Sequence, residues 1–200
     1  MIMMTHSAPW YGRLLEGQGY VPAKDMLAYK INVDFEFPPV MKAVIHRFSS
    51  KIKLRTLQRN RLAEEMEILR DIFNDAWCEN WGFIPFTEEE FVELGNTLKW
   101  LLPDEFVQIA EVEGVPAAFM VGLPNLNEIL PELNGNLFPF GWMKLIKRIK
   151  NNEIRSGRIP LMGVRKEFQN TPLGLALACL IIDAPRQAGL ARGIDEVELS

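Results

Sequence analysis

Thr171–Ala176 reads T-P-L-G-L-A and joins a strand-like segment, RIPLMGVRKEF, to the apolar run Leu173–Ile182. A helix starting here leaves its first backbone N–H groups without internal partners and carries partial positive charge, which suits a phosphate or pyrophosphate. Gly174 brings no Cβ to hold a ligand off, Ala176 is nearly as permissive, and Lys166 at the strand end would add charge. The same residues also describe the entry to a buried Leu/Ala helix on a sheet. Periodicity leaves both readings open.

Other residues offer weaker chemistry. Trp77, Asn80 and Trp81 would suit the wall of a pocket for a small polar acceptor, or serve as core, interface and helix-end residues. Met162-Gly163-Val164 would present strand backbone to an extended ligand, with Gly163 as a bulge residue, or form a plain central strand. Glu111 and Glu113 are the carboxylates near a hairpin, and nothing selects either as a base. Glu88, Glu89 and Glu90 at a helix start are explained by the helix dipole. Phe138–Trp142, FPFGW, reads as a structural turn, and Cys179 as inert core. His6 and His46 have no second ligand at metal spacing, so no metal site is expected. The chain has no GxSxG elbow, Walker A loop or GxGxxG.

Composition sets the frame for these residues. Two hundred residues, 48% hydrophobic and 24% charged, suit one ordinary soluble domain, or one with a fragment of another. A net charge of −4 calls for no nucleic-acid or membrane partner. Two isolated cysteines make no disulfide framework, and the opening MIMMTH is no signal peptide, so a cytoplasmic protein is expected. Leu173–Ile182 alone is shorter than the roughly 20 residues a membrane span needs. Charge is unevenly placed: residues 42–61 are basic without an acid, 62–93 strongly acidic, and 143–166 basic again.

Periodicity predicts the elements. A short helix follows Pro9 and stops at Gly17 and Gly19, and DMLAYKINVDFEF is β-like. FEFPPV reads as a linker, followed by a possible short strand, IKLRTL. Leu62, Met66, Leu69, Ile72, Phe73, Ala76 and Trp77 line one face of a helix whose other face is acidic. Thr87 and Glu90 stand at capping-box spacing for the next helix. FVQIAEV and VPAAFMVGL flank Glu113-Gly114 as a hairpin. Two helices, a strand, the apolar helix and a last strand, IDEVELS, follow. This order implies an α/β (α+β) plan around a mixed sheet.

With the hairpin, the strand RIPLMGVRKEF and the T-P-L-G-L-A turn in this order, the chain resembles the GCN5-related N-acetyltransferase (GNAT) superfamily from about Leu62 to Ser200. NDAWCENWGFIPFTEEEF and LNEILPELNGNLFPFGW further resemble a little-characterised bacterial group of GNAT-like proteins about twice this length. The resemblance implies a mostly antiparallel mixed sheet flanked by helices, with an R/Q-x-x-G-x-G/A turn that binds the pyrophosphate of acetyl-CoA. Gly174 and Ala176 fall in register with that turn. Thr171 replaces its usual Arg or Gln, and Pro172 removes an N–H. The family's last elements, including the helix with its usual catalytic tyrosine, have no counterpart before Ser200. SAPWYGRLLEGQGY and DMLAYKI resemble the final helix and strand of a GNAT domain. Gly19-Tyr20 match its Gly-aromatic pair, while the tyrosine position falls on Leu15, with Tyr11 one turn earlier.

The implied organisation is a helix–strand remnant of a preceding lobe at 1–34, a linker at 35–55, and a GNAT-like domain lacking its last elements at 56–200. Residues 9–32 would alternatively fill the place of the missing elements. The implied function is transfer of an acetyl or other acyl group from acyl-CoA to a small-molecule or peptide amine. Backbone around Gly163 and Val164 would polarise the thioester. Thr171, Leu173, Gly174, Leu175 and Ala176 would hold the pyrophosphate, and Asn80 and Trp81 the acceptor. Two alternatives stand beside it: a non-catalytic GNAT-like binding module, and nucleic-acid binding through the basic 42–61 segment, which lacks aromatic interleaving. No residue is assigned as catalytic, and the oligomeric state is not legible.

Overall fold

A computed structural model of the chain describes residues 7–98, 102–134, 136 and 138–199. His6, the opening MIMMTH and Ser200 lie outside the described residues. Six strands form one sheet: β1 (Tyr29–Asn32), β2 (Ile52–Thr56), β3 (Val107–Val112), β4 (Val115–Pro124), β5 (Ser156–Val164) and β6 (Glu196–Leu199). Their order is β1-β6-β5-β4-β3-β2. Every neighbouring pair is antiparallel except β5–β6. That parallel pair needs a long crossover, which is the helix α7 (Pro172–Ala191).

The sheet is covered on both faces. Helices α3 (Leu62–Trp77) and α4 (Glu88–Leu98) bury Met66, Leu69, Ile72, Phe73 and Phe91 with Val107, Ile109, Phe119 and Val121 of the strands. The alternate residues of β4, Ala118 and Met120, face the other way, against Ala176, Leu177 and Ile181 of α7. The local signals place these elements as expected. Thr87 and Glu90 close a capping box, Thr87 N–H on Glu90 Oε2 at 2.9 Å and Glu90 N–H on Thr87 Oγ1 at 3.2 Å. Glu113 and Gly114 take positive φ in the two-residue turn between Val112 and Val115.

The apolar run at 173–182 extends into a 20-residue helix, long and apolar enough by length and composition to cross a membrane. It lies instead over the sheet, with Ala176, Leu177 and Ile181 fully buried.

The first fifty-odd residues differ from the expected remnant and linker. Residues 35–55 hold a helix, α2 (Pro39–Phe48), and most of β2. Pro38 is the N-cap and Pro39 the first helical residue, a position where proline loses nothing because that N–H has no helical partner. Val44 and Phe48 of α2 pack on the α7 side of the core. The strand β1 pairs with β6, Tyr29 opposite Leu199 and Asn32 opposite Glu196, beyond which Val33 N–H reaches Asp195 O at 3.0 Å. Arg186 of α7 donates to the carbonyls of Val33 and Phe35 and lies over the Phe35 ring. Residues 29–32 thus occupy the sheet beside the last strand. The preceding short helix α1 (Tyr11–Gly17) buries no residue.

Candidate functional site

The strand β5 has partners on both edges only from Ser156 to Ile159; beyond that, among the described residues, it pairs with β4 alone. At the branch stands Pro160, which has no N–H to give, and the β4–β5 register shifts between Val121 and Leu123. The bulge expected at Gly163 is therefore at the Pro160 level, and Gly163 sits in regular register with Phe119. Arg165 N–H donates to Ala117 O at 2.8 Å, which sets the phase of the ladder. Leu161 and Gly163 turn their backbone groups toward β4, whereas Met162 and Val164 turn theirs to the open edge.

Both outward carbonyls on that edge are occupied. Met162 O accepts the Trp77 indole N–H at 2.8 Å, and Val164 O accepts Gln169 Nε2–H at 2.9 Å. The remaining groups along the edge are the N–H donors of Met162 and Val164. Gly163 acts by shape: a Cβ there would lie 3.2 Å from Ala76 Cβ and 3.3 Å from Phe119 Cε1, so its absence lets α3 settle on the sheet.

The turn from β5 into α7 is bound to the acidic face of α3. Asp71 pairs with Arg165 at 2.6 Å, Asp75 accepts Lys166 N–H at 2.7 Å, and Glu79 pairs with the Lys166 ammonium. The Glu79 hydrogen bond holds the Lys166 pKa above its ordinary value. Both side chains of this pair are largely exposed, so exchanging Glu79 for a phosphate oxygen costs Lys166 little.

Thr171 is the N-cap of α7. Its Oγ1 accepts Gly174 N–H at 3.0 Å while its hydroxyl donates to Phe168 O at 2.7 Å. Pro172 has no N–H, and Leu175 N–H bonds Thr171 O. Of the first-turn donors, Leu173 N–H is the one with no partner among the described residues. A Cβ on Gly174 would stand 2.0 Å from Phe168 O, so glycine is required there by the chain's own fold. Leu175 is exposed and Ala176 buried.

Trp77 stacks on Phe73, ring centroids 5.5 Å apart, and anchors β5 through its indole. Asn80 and Trp81 lie exposed in the turn after α3, where Asn80 N–H bonds Trp77 O and Phe83 N–H bonds Asn80 O. Glu111 is paired with Arg55 at 2.6 Å inside the fold, and Glu113 forms the hairpin turn. Among the described residues, no three His, Cys, Asp or Glu side chains gather as a metal site.

Sequence patterns did not signal an apolar cavity under the second half of α7, lined by Ile31, Met120, Ile159, Ile182, Ile194 and Val197 among others. Its walls come from β1, β4, β5, β6, α7 and the segments that flank them, so only the fold assembles it. It begins at Ile159, the last residue of β5 to pair with β6.

The cysteines differ in kind. Burial first, and Asp183 second, push the Cys179 thiol pKa up, whereas Cys78 is exposed at the end of α3. Since the thiolate is the reactive form, iodoacetamide on the native chain is expected to modify Cys78 and spare Cys179 until urea unfolds the protein. Mass spectrometry of the tryptic peptides reads the outcome.

No protein-family model matches the chain. It is 47% identical over 199 residues to Protein YghO of Escherichia coli (strain K12), covering 99% of this chain and 51% of that protein. It is 38% identical over 201 residues to the bacterial ceramide synthase of Caulobacter vibrioides, covering 100% of this chain and 52% of that protein. The chain spans about half the length of these curated relatives. Among solved structures, a GCN5-related N-acetyltransferase from Sphaerobacter thermophilus superposes with a TM-score of 0.58 at 19% identity. That match covers 96% of this chain and 47% of the other. A GCN5-related glucosamine N-acetyltransferase region of a fungal multi-domain β-N-acetylglucosaminidase gives 0.51 at 15% identity, covering 94% of this chain and 19% of the other. With its mostly antiparallel sheet, its single parallel pair and the α7 crossover between them, the chain has the GNAT fold.

Proposed function

We propose that this chain forms part of an N-acyltransferase that moves an acyl group from acyl-CoA to an amine. The observation that carries the reading is the open edge of β5, whose N–H donors at Met162 and Val164 have no partner among the described residues and run toward the capped start of α7. In that reaction the amine nitrogen attacks the thioester carbonyl, the C–N bond forms, the C–S bond breaks, and the proton lost by the amine balances the one gained by the thiolate. Positioning and backbone donors supply most of what such a step needs.

The expected residues keep their place in this proposal with altered roles. Met162 and Val164 N–H would pair with the extended pantetheine arm and the thioester oxygen, and Gly163 shapes the strand beneath them. Leu173 N–H and Lys166 would meet the pyrophosphate, while Thr171, Gly174, Leu175 and Ala176 build the turn that presents them. Asn80 and Trp81 remain the acceptor-side candidates. Glu111 is committed to Arg55, so no base is assigned.

A second, narrower reading is that the acyl group or the amine carries a long chain, of which the apolar cavity, with about 50 Å³ of room, would take only the first methylenes. The 38% identity to a protein named as a ceramide synthase supports it, a ceramide being a fatty amide of a long-chain amino alcohol. The basic-segment reading loses ground, because Arg55 is held by Glu65 and Glu111 rather than presented to a nucleic acid.

Calorimetry with acetyl-CoA and a series of longer acyl-CoA thioesters tests these proposals. Binding that weakens on Lys166→Ala is expected, and no heat at millimolar thioester would sink the acyltransferase reading. Each methylene that enters the cavity adds up to about 0.8 kcal/mol of affinity. An affinity independent of chain length removes the second reading only. Thiol release across a panel of amines then separates an enzyme from a non-catalytic binding module.

A further inference from the structure

Between β4 and β5 the chain builds a small satellite of the fold, and its outer surface sets exposed apolar side chains beside cations. Leu145 and Ile149 of the helix α6 (Gly141–Lys150) turn inward, onto Leu126, Ile129, Leu133 and Ile154. On its outward side Trp142, Met143 and Ile146 are left exposed, at 43%, 51% and 44%. In the turn just before it Phe138 and Phe140 are more exposed still, at 76% and 72%. The Trp142 indole N–H donates to Pro139 O at 3.0 Å, tying that turn to the first turn of the helix. Three aromatic rings and two long aliphatic side chains therefore stand in water within nine residues.

The charges carried by α6 itself are of one sign. Lys144 and Arg148 pair with Glu132, and Arg148 also with Glu153. Lys147 and Lys150 have no acidic partner among the described residues. At 100° per residue Lys150 falls between Ile146 and Met143, and Lys147 directly beyond Met143, so the uncompensated lysines edge the apolar strip. On a chain of net charge −4 this is a local cationic patch.

A protein partner that covered the strip would have to strip water from Lys147 and Lys150 or supply matching acids. An anionic lipid surface supplies the matching charge and leaves the ammonium groups hydrated. Phenyl and indole rings settle at headgroup depth, and lysine stems lie along apolar surface while their ammonium groups meet lipid phosphates. Anionic lipid adds attraction for each lysine near the surface.

We infer that the exposed face of residues 138–150 is a docking surface for an anionic lipid bilayer, on which α6 lies in the plane of the interface. This inference stands apart from the acyltransferase reading, since it concerns binding without turnover. It sets the lipid at the Ser156 end of β5, with the capped start of α7 following the Val164 end. A long-chain amine dissolved in the bilayer would then meet the protein from the side opposite the Thr171 turn.

Co-sedimentation of the 200-residue chain with vesicles tests it, using phosphatidylcholine alone against equal parts phosphatidylcholine and phosphatidylglycerol. The expected result is binding to the anionic vesicles that falls with added salt. Phe140→Ser with Ile146→Ser, and separately Lys147→Glu with Lys150→Glu, are each expected to lower it by about tenfold or more. All four positions are exposed, and unchanged thermal melts show that the variants fold. Binding that is absent, or indifferent to both variant pairs, overturns the inference. So does a lipid-free dimer, seen by sedimentation velocity, that the same substitutions dissolve.

Discussion

Arg55→Met is expected to destabilise the chain by about 3–5 kcal/mol, measured by urea denaturation, although the site lies in a strongly basic stretch of sequence. The Arg55 guanidinium reaches Glu65 Oε2 at 2.7 Å and Oε1 at 2.9 Å through Nη1, and Glu111 at 2.6 Å through Nε. The three side chains are only 15%, 3% and 13% exposed. Burial disfavours the guanidinium charge, but the hydrogen bonds it donates to Glu65 and then Glu111 outweigh it and hold the Arg55 pKa above its ordinary value. Methionine fills most of the space and removes the charge, leaving two buried carboxylates facing each other without a cation. The loss comes from those orphaned carboxylates, so the triple change Arg55→Met, Glu65→Leu, Glu111→Met is expected to recover most of it. Lys53→Met, two residues earlier in β2 with its side chain exposed opposite Glu111, is expected to change stability by no more than about 1 kcal/mol. If Arg55→Met proves as mild as Lys53→Met, the buried cluster does not hold β2 to α3 and β3.

This cluster also marks what was legible in the sequence. The features that local chemistry decides were all readable: the stripe of α3, the Thr87–Glu90 capping box, the Glu113-Gly114 turn and the strand–turn–helix at 156–174. Each depends on residues within a few positions of one another. The features left open or unseen depend on partners far along the chain. A run of cations looks alike whether it meets water or two buried acids, and Arg55 is separated from Glu111 by 56 residues. Pro38-Pro39 reads as a linker because the same dipeptide serves both a stiff connection and a helix start; only packing of Val44 and Phe48 decides. The bulge at Pro160 belongs to the β4–β5 pair and not to β5, and the open edge exists because β6 stops pairing at Ile159. No pattern within RIPLMGVRKEF contains that fact.

Gly174→Ala is expected to destabilise the chain by about 3 kcal/mol, while Gly189→Ala, fifteen residues on in the same helix, stabilises it by up to about 1 kcal/mol. Helix propensity favours alanine at both positions equally, so the sign must come from what the new Cβ meets. At 189 it meets Ile194 side-chain carbons at 3.6–4.0 Å, an ordinary contact. At 174 it meets a backbone oxygen, Phe168 O, at 2.0 Å. That oxygen has little room to give, being held by Thr171 N–H at 3.2 Å and the Thr171 hydroxyl at 2.7 Å. Relief requires opening the turn that starts α7, and with it the cap that Thr171 provides. Urea midpoints for the two variants give the comparison directly, and equal midpoints would show that the turn is looser than these hydrogen bonds imply. The consequence for function is specific. Gly174 is demanded by the fold before any ligand arrives, so loss of acyl-CoA binding in Gly174→Ala reports a broken turn and cannot diagnose a phosphate site. Lys166→Ala can, because Lys166 lies on the surface and its Glu79 partner is exposed. Weakened thioester binding with an unchanged urea midpoint in that variant assigns the start of α7 to a phosphate; unchanged binding leaves it the entry to a core helix.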